Sequence, residues 1–524
     1  MRISISILTL VFSINILFAQ AIKKGNLENA IDRVNNRVVS NVVDSINIIQ
    51  IEKDPIEELG KDLNEIISNS DLNDTQVGIL VYSLEENDFL YGLNEKKNYV
   101  PASTLKLLTT SAVLDYLGED YRYKTEIFLD GEIQSNGEFI GDIIVRSNGD
   151  PSLSDLFDTN VEEVFAKWTD ELKKHGIVSI RGNLIADDSY FEDEYYAEGW
   201  TYDDLKHSYA SQVNAINLYE NKVDLKISSG SNIGYLGNYD LHPVTSYVQI
   251  INNINTAKQM DDNGIEFFRD YGTNIIEIYG DIKKGNETVL EVSIDNPSLY
   301  FLNFFKEKII SSNIRFKGGL FDADNLSYEI KYTDEKKLST HYSPKLAEII
   351  KIVNSESNNL LAEILLKSLA KEKKGIGNFK NGVECLKEYA SKVGIADFGL
   401  QIVDGSGLSR NDLFSPINFI YLLSHIYRQS YYEVFKSSLA RPGNLGTLER
   451  RMLRSKAEKN VFAKTGSMSN ISNLCGYVRT AENETLAFAI FMNNFTTPNA
   501  VARNIQDLIC MRLSGFTRVI NTKK

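Results

Sequence analysis

Pro101-Ala102-Ser103-Thr104-Leu105-Lys106 opens an apolar helical pattern. Leu105, Leu108, Ala112, Leu114 and Leu117 carry it on, and Gly118 suits its C-terminal cap. Ser103 and Lys106 stand three apart, which puts a hydroxyl and an amine on one helix face about 5–6 Å apart at Cβ. A serine hydroxyl is a poor nucleophile until a neighbouring base takes its proton. A lysine can be that base when burial and its neighbours lower its pKa. The stretch predicts an acylating serine hydrolase that works without a histidine. The spacing alone is cheap, because Ser368-Leu369-Ala370-Lys371 repeats it in the middle of another helical run.

Before this stretch, Ile56, Leu59, Leu63 and Ile66-Ile67 recur at helical spacing. Val77 to Leu84 and Phe89 to Leu93 then read as a hairpin around Glu86-Asn87-Asp88. From Tyr121 to about 335 the character changes to short strand-like runs with turns. Examples are Tyr123 to Leu129, Phe139 to Arg146, Gly182 to Ala186, Lys222 to Ser228 and Ile275 to Gly280. Helices are few there, the clearest being Val161 to His175 and Pro297 to Ser311 with Asn296 as cap. Helical character returns at Ser343-Pro344, read as a cap followed by proline at the first helical position. Further helices are expected at Asn358 to Ala370, Gly377 to Val393 and Pro416 to Arg428. Leu474 to Arg479 and Leu486 to Asn493 read as paired strands, and Thr497-Pro498 opens a last helix. Strands at both chain ends, with helices between, predict one α/β domain that a β-rich middle interrupts.

The whole chain sets bounds on function. It has 524 residues, 43% apolar and 24% charged, a globular composition. A net charge of −15 argues against nucleic acid and anionic lipid as bulk partners. Met1-Arg2, an apolar run from Ile3 to Phe18 and Ala19-Gln20-Ala21 predict a secretory signal peptide over 1–21. Residues 22–54 read as a polar leader. The cysteines Cys385, Cys475 and Cys510 lack metal-ligand spacing, and the five histidines form no zinc motif, so no metal or other cofactor is expected.

Two further motifs lie downstream. Lys464-Thr465-Gly466, before the C-terminal strand pair, can hold a substrate carboxylate, and its glycine suits close approach of a ligand. Ser357-Asn358-Asn359 precedes a helix, where Ser357 can relay a proton and Asn359 can hold a substrate amide. Taken alone, Ser357 reads equally as an ordinary helix cap. In order, Ser-x-x-Lys, Ser-x-Asn and Lys-Thr-Gly form the signature of active-site-serine penicillin-recognising enzymes. The chain resembles the D-alanyl-D-alanine carboxypeptidase/endopeptidase family, the class C type-4 low-molecular-mass penicillin-binding proteins. The resemblance spans about residues 55–515. It also covers Gly149-Asp150-Pro151, Asp187-Asp188-Ser189-Tyr190-Phe191, Gly199-Trp200, Ser357 to Glu363, Asp404 to Arg410 and Lys464 to Ser467.

The resemblance implies an α/β (α+β) transpeptidase/β-lactamase-like domain, discontinuous in sequence, over 55–121 and 336–524. Two β-rich domains would be inserted over 122–335. Ser103 would attack a D-alanyl-D-alanine carbonyl with Lys106 as base. Ser357 and Lys464 would pass the proton to the leaving D-alanine. Asn359 would hold the substrate amide. Lys464 and Thr465 would bind the terminal carboxylate, and the N–H groups of Ser103 and Ser467 would form the oxyanion hole. Arg410 and Met468 would touch the stem-peptide side chain, with Asp188 a weaker candidate whose ordinary role is a turn. The implied partners are peptidoglycan stem peptides and β-lactam antibiotics, in the periplasm or cell envelope. The alternatives are a β-lactamase or esterase on the same scaffold, or a non-catalytic wall-binding protein.

Overall fold

The computed structural model describes residues 54–519 apart from 69–71, 73, 260–263 and 396–398. The expected signal peptide and, but for Asp54, the expected leader lie outside the described residues. Residues Leu59–Thr517 form one compact unit. No helix among the described residues is long and apolar enough to cross a membrane.

Both chain ends build one five-stranded antiparallel sheet. Its order is Val461–Met468, Ile471–Arg479, Thr485–Asn493, Gln76–Ser83, Phe89–Leu93. The central strand Thr485–Asn493 is buried from Leu486 to Asn493. Side chains of a strand alternate between faces, so an unbroken buried run means that both faces are covered. Cys475, Tyr477, Ala487, Ala489 and Phe491 join the core with the helix Pro416–Tyr427. The helix Asn499–Ser514 packs against the strand Ile471–Arg479.

The intervening chain builds three more sheets and a second core. A seven-stranded sheet includes Lys124–Ile133, Glu138–Ser147 and Lys337–Tyr342, and two three-stranded sheets lie between them in sequence. Phe165, Trp168, Phe301, Phe304 and Phe305 meet in this core. They come from two helices with sound ends. Asn160 accepts from the N–H of Glu163, and Asn296 from that of Leu299 with Pro297 at the first helical position.

The two crossings between these regions lie side by side. Lys337–Tyr342 pairs antiparallel with Lys124–Ile133, so the chain leaves and returns on adjacent strands. Ser343 is not the helix cap expected from sequence. The helix starts at Leu346, and the Ser343 hydroxyl instead accepts the Tyr123 N–H at 2.9 Å. Tertiary pairing of the crossings takes the side chain that local sequence assigns to a cap.

Candidate active site

Ser103 sits just ahead of the α-helix. Ala102–Leu105 is one 3₁₀ turn, and the α-helix runs over Lys106–Leu117. The turn is held from outside. Asn473 donates from Nδ2 to the carbonyls of Val100 at 2.9 Å and Pro101 at 2.8 Å. Ala102 has φ +47°, a left-handed conformation that costs an L-residue roughly 1–3 kcal/mol. Gly407 backs onto it so closely that a Cβ there would lie 2.0 Å from the Ala102 carbonyl oxygen.

Lys106 is fully buried. Its Nζ lies 3.0 Å from Ser103 Oγ, 2.6 Å from Asn359 Oδ1 and 2.7 Å from the Ser406 carbonyl. Burial lowers its pKa to about 8, against the raising effect of the Asp404, Glu363 and Asp412 charges. A neutral amine has two N–H bonds and one lone pair. Asn359 and Ser406 are acceptors that take the two N–H groups, which leaves the lone pair for the Ser103 hydroxyl.

Residues outside the predicted site hold this geometry. Glu363 accepts from the N–H of Gly405 at 2.9 Å and of Ser406 at 2.7 Å, and so aims the Ser406 carbonyl. Thr109 donates to the Gly405 carbonyl at 2.6 Å. Asp404 accepts from the N–H groups of Gly407 and Ser409 and from Trp200 Nε1. Burial, then the Asp404 charge, raises the Glu363 pKa to about 8.

Lys464 lies in the edge strand Val461–Met468, fully buried, with Nζ donating to the Thr465 carbonyl at 3.1 Å. Burial and then the Lys106 charge push its pKa well below the usual value, and Glu356 opposes them. Thr465 Oγ1 donates to Thr447 Oγ1 at 2.9 Å. Gly466 has a packing reason of its own. A Cβ there would lie 2.6 Å from the Pro101 carbonyl and 3.1 Å from the Thr104 nitrogen. It is the Ser103 turn, part of this chain, that approaches the glycine. The Cys475 thiol beside this strand is buried, and burial raises its pKa, so it packs as an unreactive group.

A cavity of about 400 Å³ opens over these groups. Of the predicted residues, Ser103, Ser357, Asn359, Ser467, Arg410 and Met468 line it. Lys106 and Lys464 are buried outside its lining, and Thr465 and Gly466 do not line it either. Ser357 has φ +69°, and the helix cap is its neighbour Asn358, which accepts from the Leu361 N–H. Arg410 donates to the Ser469 carbonyl at 3.2 Å. Asp188 is not part of the cavity; its carboxylate accepts from Asn214 and Ser298, and burial raises its pKa.

The inserted region supplies a wall that sequence reasoning missed. Thr201, Asp204 and Tyr209 line the cavity. The Tyr209 carbonyl accepts from Asn359 Nδ2 at 2.8 Å, and its hydroxyl donates to Asp204 at 2.9 Å. Asn359 is thereby shared between Lys106 and the inserted wall. Nothing in the local sequence marks Tyr209 as part of the wall, because Asn359, which donates to its carbonyl, lies 150 positions away.

This architecture, with Ser103, Ser357, Asn359 and, just after the third motif, Ser467 drawn to one cavity, is that of the penicillin-recognising hydrolases with a transpeptidase/β-lactamase-like fold. The chain belongs to the D-Ala-D-Ala carboxypeptidase 3 (S13) family, whose profile matches residues 59–514. A D-alanyl-D-alanine carboxypeptidase from an Actinomadura species is 30% identical over 471 residues, 88% of this chain and 85% of that protein. The D-alanyl-D-alanine carboxypeptidase DacB of Haemophilus influenzae is 26% identical over 81% of this chain and 86% of its own. The crystal structure of penicillin binding protein 4 from Haemophilus influenzae matches with a TM-score of 0.75 at 24% identity. That match covers 88% of this chain and 99% of the other, and it supports the fold. The protein is thus a D-Ala-D-Ala carboxypeptidase-class hydrolase.

Proposed function

We propose that Ser103 is the nucleophile of a serine-type D,D-carboxypeptidase and/or D,D-endopeptidase acting on peptidoglycan in the cell envelope, and that β-lactams acylate it. The observation that carries this reading is the set of three contacts at Lys106 Nζ, with Ser103, Asn359 and Ser406. Ser103 Oγ attacks the carbonyl of the D-alanyl bond while its proton passes to the Lys106 lone pair. The developing oxyanion is held by the N–H groups of Ser103 and Ser467, and losing one such donor costs about 3–4 kcal/mol. The C–N bond then breaks. The leaving amine takes its proton through Ser357 and Lys464, and water hydrolyses the Ser103 ester. Lys464 and Thr465 bind the terminal carboxylate, while Arg410 and Met468 meet the stem-peptide side chain.

On this reading the catalytic domain comprises both chain ends, and the inserted domains contribute Tyr209 and its neighbours as a substrate wall. The return crossing at Lys337–Tyr342 pairs within the inserted sheet, which favours a boundary near Ser343. The N-terminal segment 1–21 acts as an export signal. Digestion of purified peptidoglycan, with mass identification of the fragments, tests the activity. Release of free D-alanine marks the carboxypeptidase, and conversion of cross-linked dimers to monomers marks the endopeptidase. If neither product forms with well-folded enzyme, the proposal fails.

A further inference from the structure

A second cavity, of about 150 Å³, lies beside the first on the inserted wall. One short turn separates them. Tyr202–Asp204 is a single 3₁₀ turn closed by Thr201 and Asp204, with Thr201 Oγ1 donating to Asp204 Oδ2 at 2.6 Å. Thr201 and Asp204 line the Ser103 cavity, while Tyr202, Asp203 and Lys206 line the second.

Its walls have two properties that packing does not require. Tyr202, Tyr271 and Phe268 line it yet are 62%, 57% and 43% exposed. Arg269, at its base, is only 4% exposed and has no carboxylate within ion-pair distance among the described residues. Its Nη atoms donate to the carbonyls of Thr273 and Leu205 and to Ser293 Oγ. Its Nε is buried and has no partner among the described residues. Among the described residues the Lys206 amine likewise meets only a carbonyl, that of Phe267 at 3.2 Å, and the Phe267 ring. Asp203 is the single acid of this lining; Asp204 lies on the Ser103 cavity and is taken up by Thr201 and Tyr209. A buried cation with incomplete partners is costly unless an anion completes it. On a chain of net charge −15, two unpaired cations beside the candidate site form a local attractor for negative charge.

We propose that this second cavity binds a carboxylate-bearing segment of the wall peptide while the scissile end occupies the Ser103 cavity. This rests on the peptidase reading above. The exposed aromatic rings cover the aliphatic part of the segment, the Lys206 amine meets its carboxylate, and the Arg269 charge in the lining adds to the attraction. Cross-linked substrate, with a second peptide beside the first, reaches both cavities, and a short D-alanyl dipeptide reaches one.

The test uses the full chain carrying Ser103→Ala, so that bound substrate is not turned over, and a disaccharide-tetrapeptide dimer as probe in titration calorimetry. Adding Lys206→Glu is expected to weaken dimer binding by about tenfold or more and to reduce its salt dependence. Tyr202→Ala, at an exposed position where folding is not at stake, is expected to weaken it about threefold. If both variants bind the dimer within twofold of the parent, the cavity proposal is overturned. Benzylpenicillin labelling of the unaltered protein separates the two readings. Labelling at Ser103 with unchanged dimer affinity in the variants sinks the cavity alone. No labelling, with dimer binding still dependent on Lys206, sinks the peptidase reading alone.

Discussion

Ser103/Lys106 and Ser368/Lys371 have identical spacing and opposite fates. Ser368 lies inside the helix Asn359–Lys374, where its hydroxyl donates to the Ile364 carbonyl at 2.7 Å and accepts from Tyr123 at 3.0 Å. Lys371 turns its amine over the Tyr190 ring, 5.5 Å from the centroid. Mid-helix, a serine finds a carbonyl one turn back and spends its proton there. Ser103 stands in a 3₁₀ turn behind a strained Ala102, and its hydroxyl meets Lys106 instead. On the proposed mechanism, the motif becomes chemistry where the backbone withholds the ordinary hydrogen-bond partner and a buried amine replaces it.

The hardest blow to this contrast is Ser103→Ala. Peptidase turnover should fall by about three orders of magnitude or more, and the benzylpenicillin adduct seen by intact-mass measurement should vanish. An adduct that persists would move the nucleophile elsewhere.

Next is the base. Lys106 has to be neutral to accept the proton, and its pKa is held near 8 chiefly by burial. Acylation by a fluorescent penicillin should therefore rise with pH and level off near that value, since the free amine grows as pH approaches the pKa from below. Lys106→Ala should cost about 10²–10⁴-fold in acylation. A profile already flat at pH 6 contradicts the assignment.

Gly466→Ala sharpens the packing side of the comparison. Its new methyl meets the Pro101 carbonyl and the Thr104 backbone. Overpacking of this kind costs about 1–3 kcal/mol. Thermal unfolding should report that loss, and the acylation rate should fall as the Ser103 turn shifts. The smallest effect is expected at the other pair. Ser368→Ala should leave acylation within about twofold and lower stability by about 1 kcal/mol, through the bond lost to Tyr123. A large fall in acylation with Ser368→Ala would erase the distinction between the two pairs.

Much of this was legible because the relevant signals are local. The helix Pro297–Ser311 with its Asn296 cap follows from residues within one turn of each other. The strands at 471–479 and 485–493 follow from apolar runs around a short turn. Local sequence misplaces the cap at Ser343, because its hydroxyl accepts from the Tyr123 N–H, 220 positions away. That Pro101 packs on Gly466 is not visible in the sequence, because the two lie in separate stretches of the chain. Glu363 and Asp404 could be seen only as letters in longer stretches, and their task, holding the loop that aims the Ser406 carbonyl, exists only in three dimensions.

By itself the sequence determined the class of chemistry, through three short motifs in order, and the discontinuous plan, through the change to strand-like runs after Tyr121. Those properties depend on residue type and spacing, which the chain carries in one dimension. Tertiary structure decided which Ser-x-x-Lys pair faces a cavity, what closes around Lys106, and that Tyr209 completes the wall. It decided them because burial and hydrogen-bond completion depend on groups brought together from 150 to 300 positions apart.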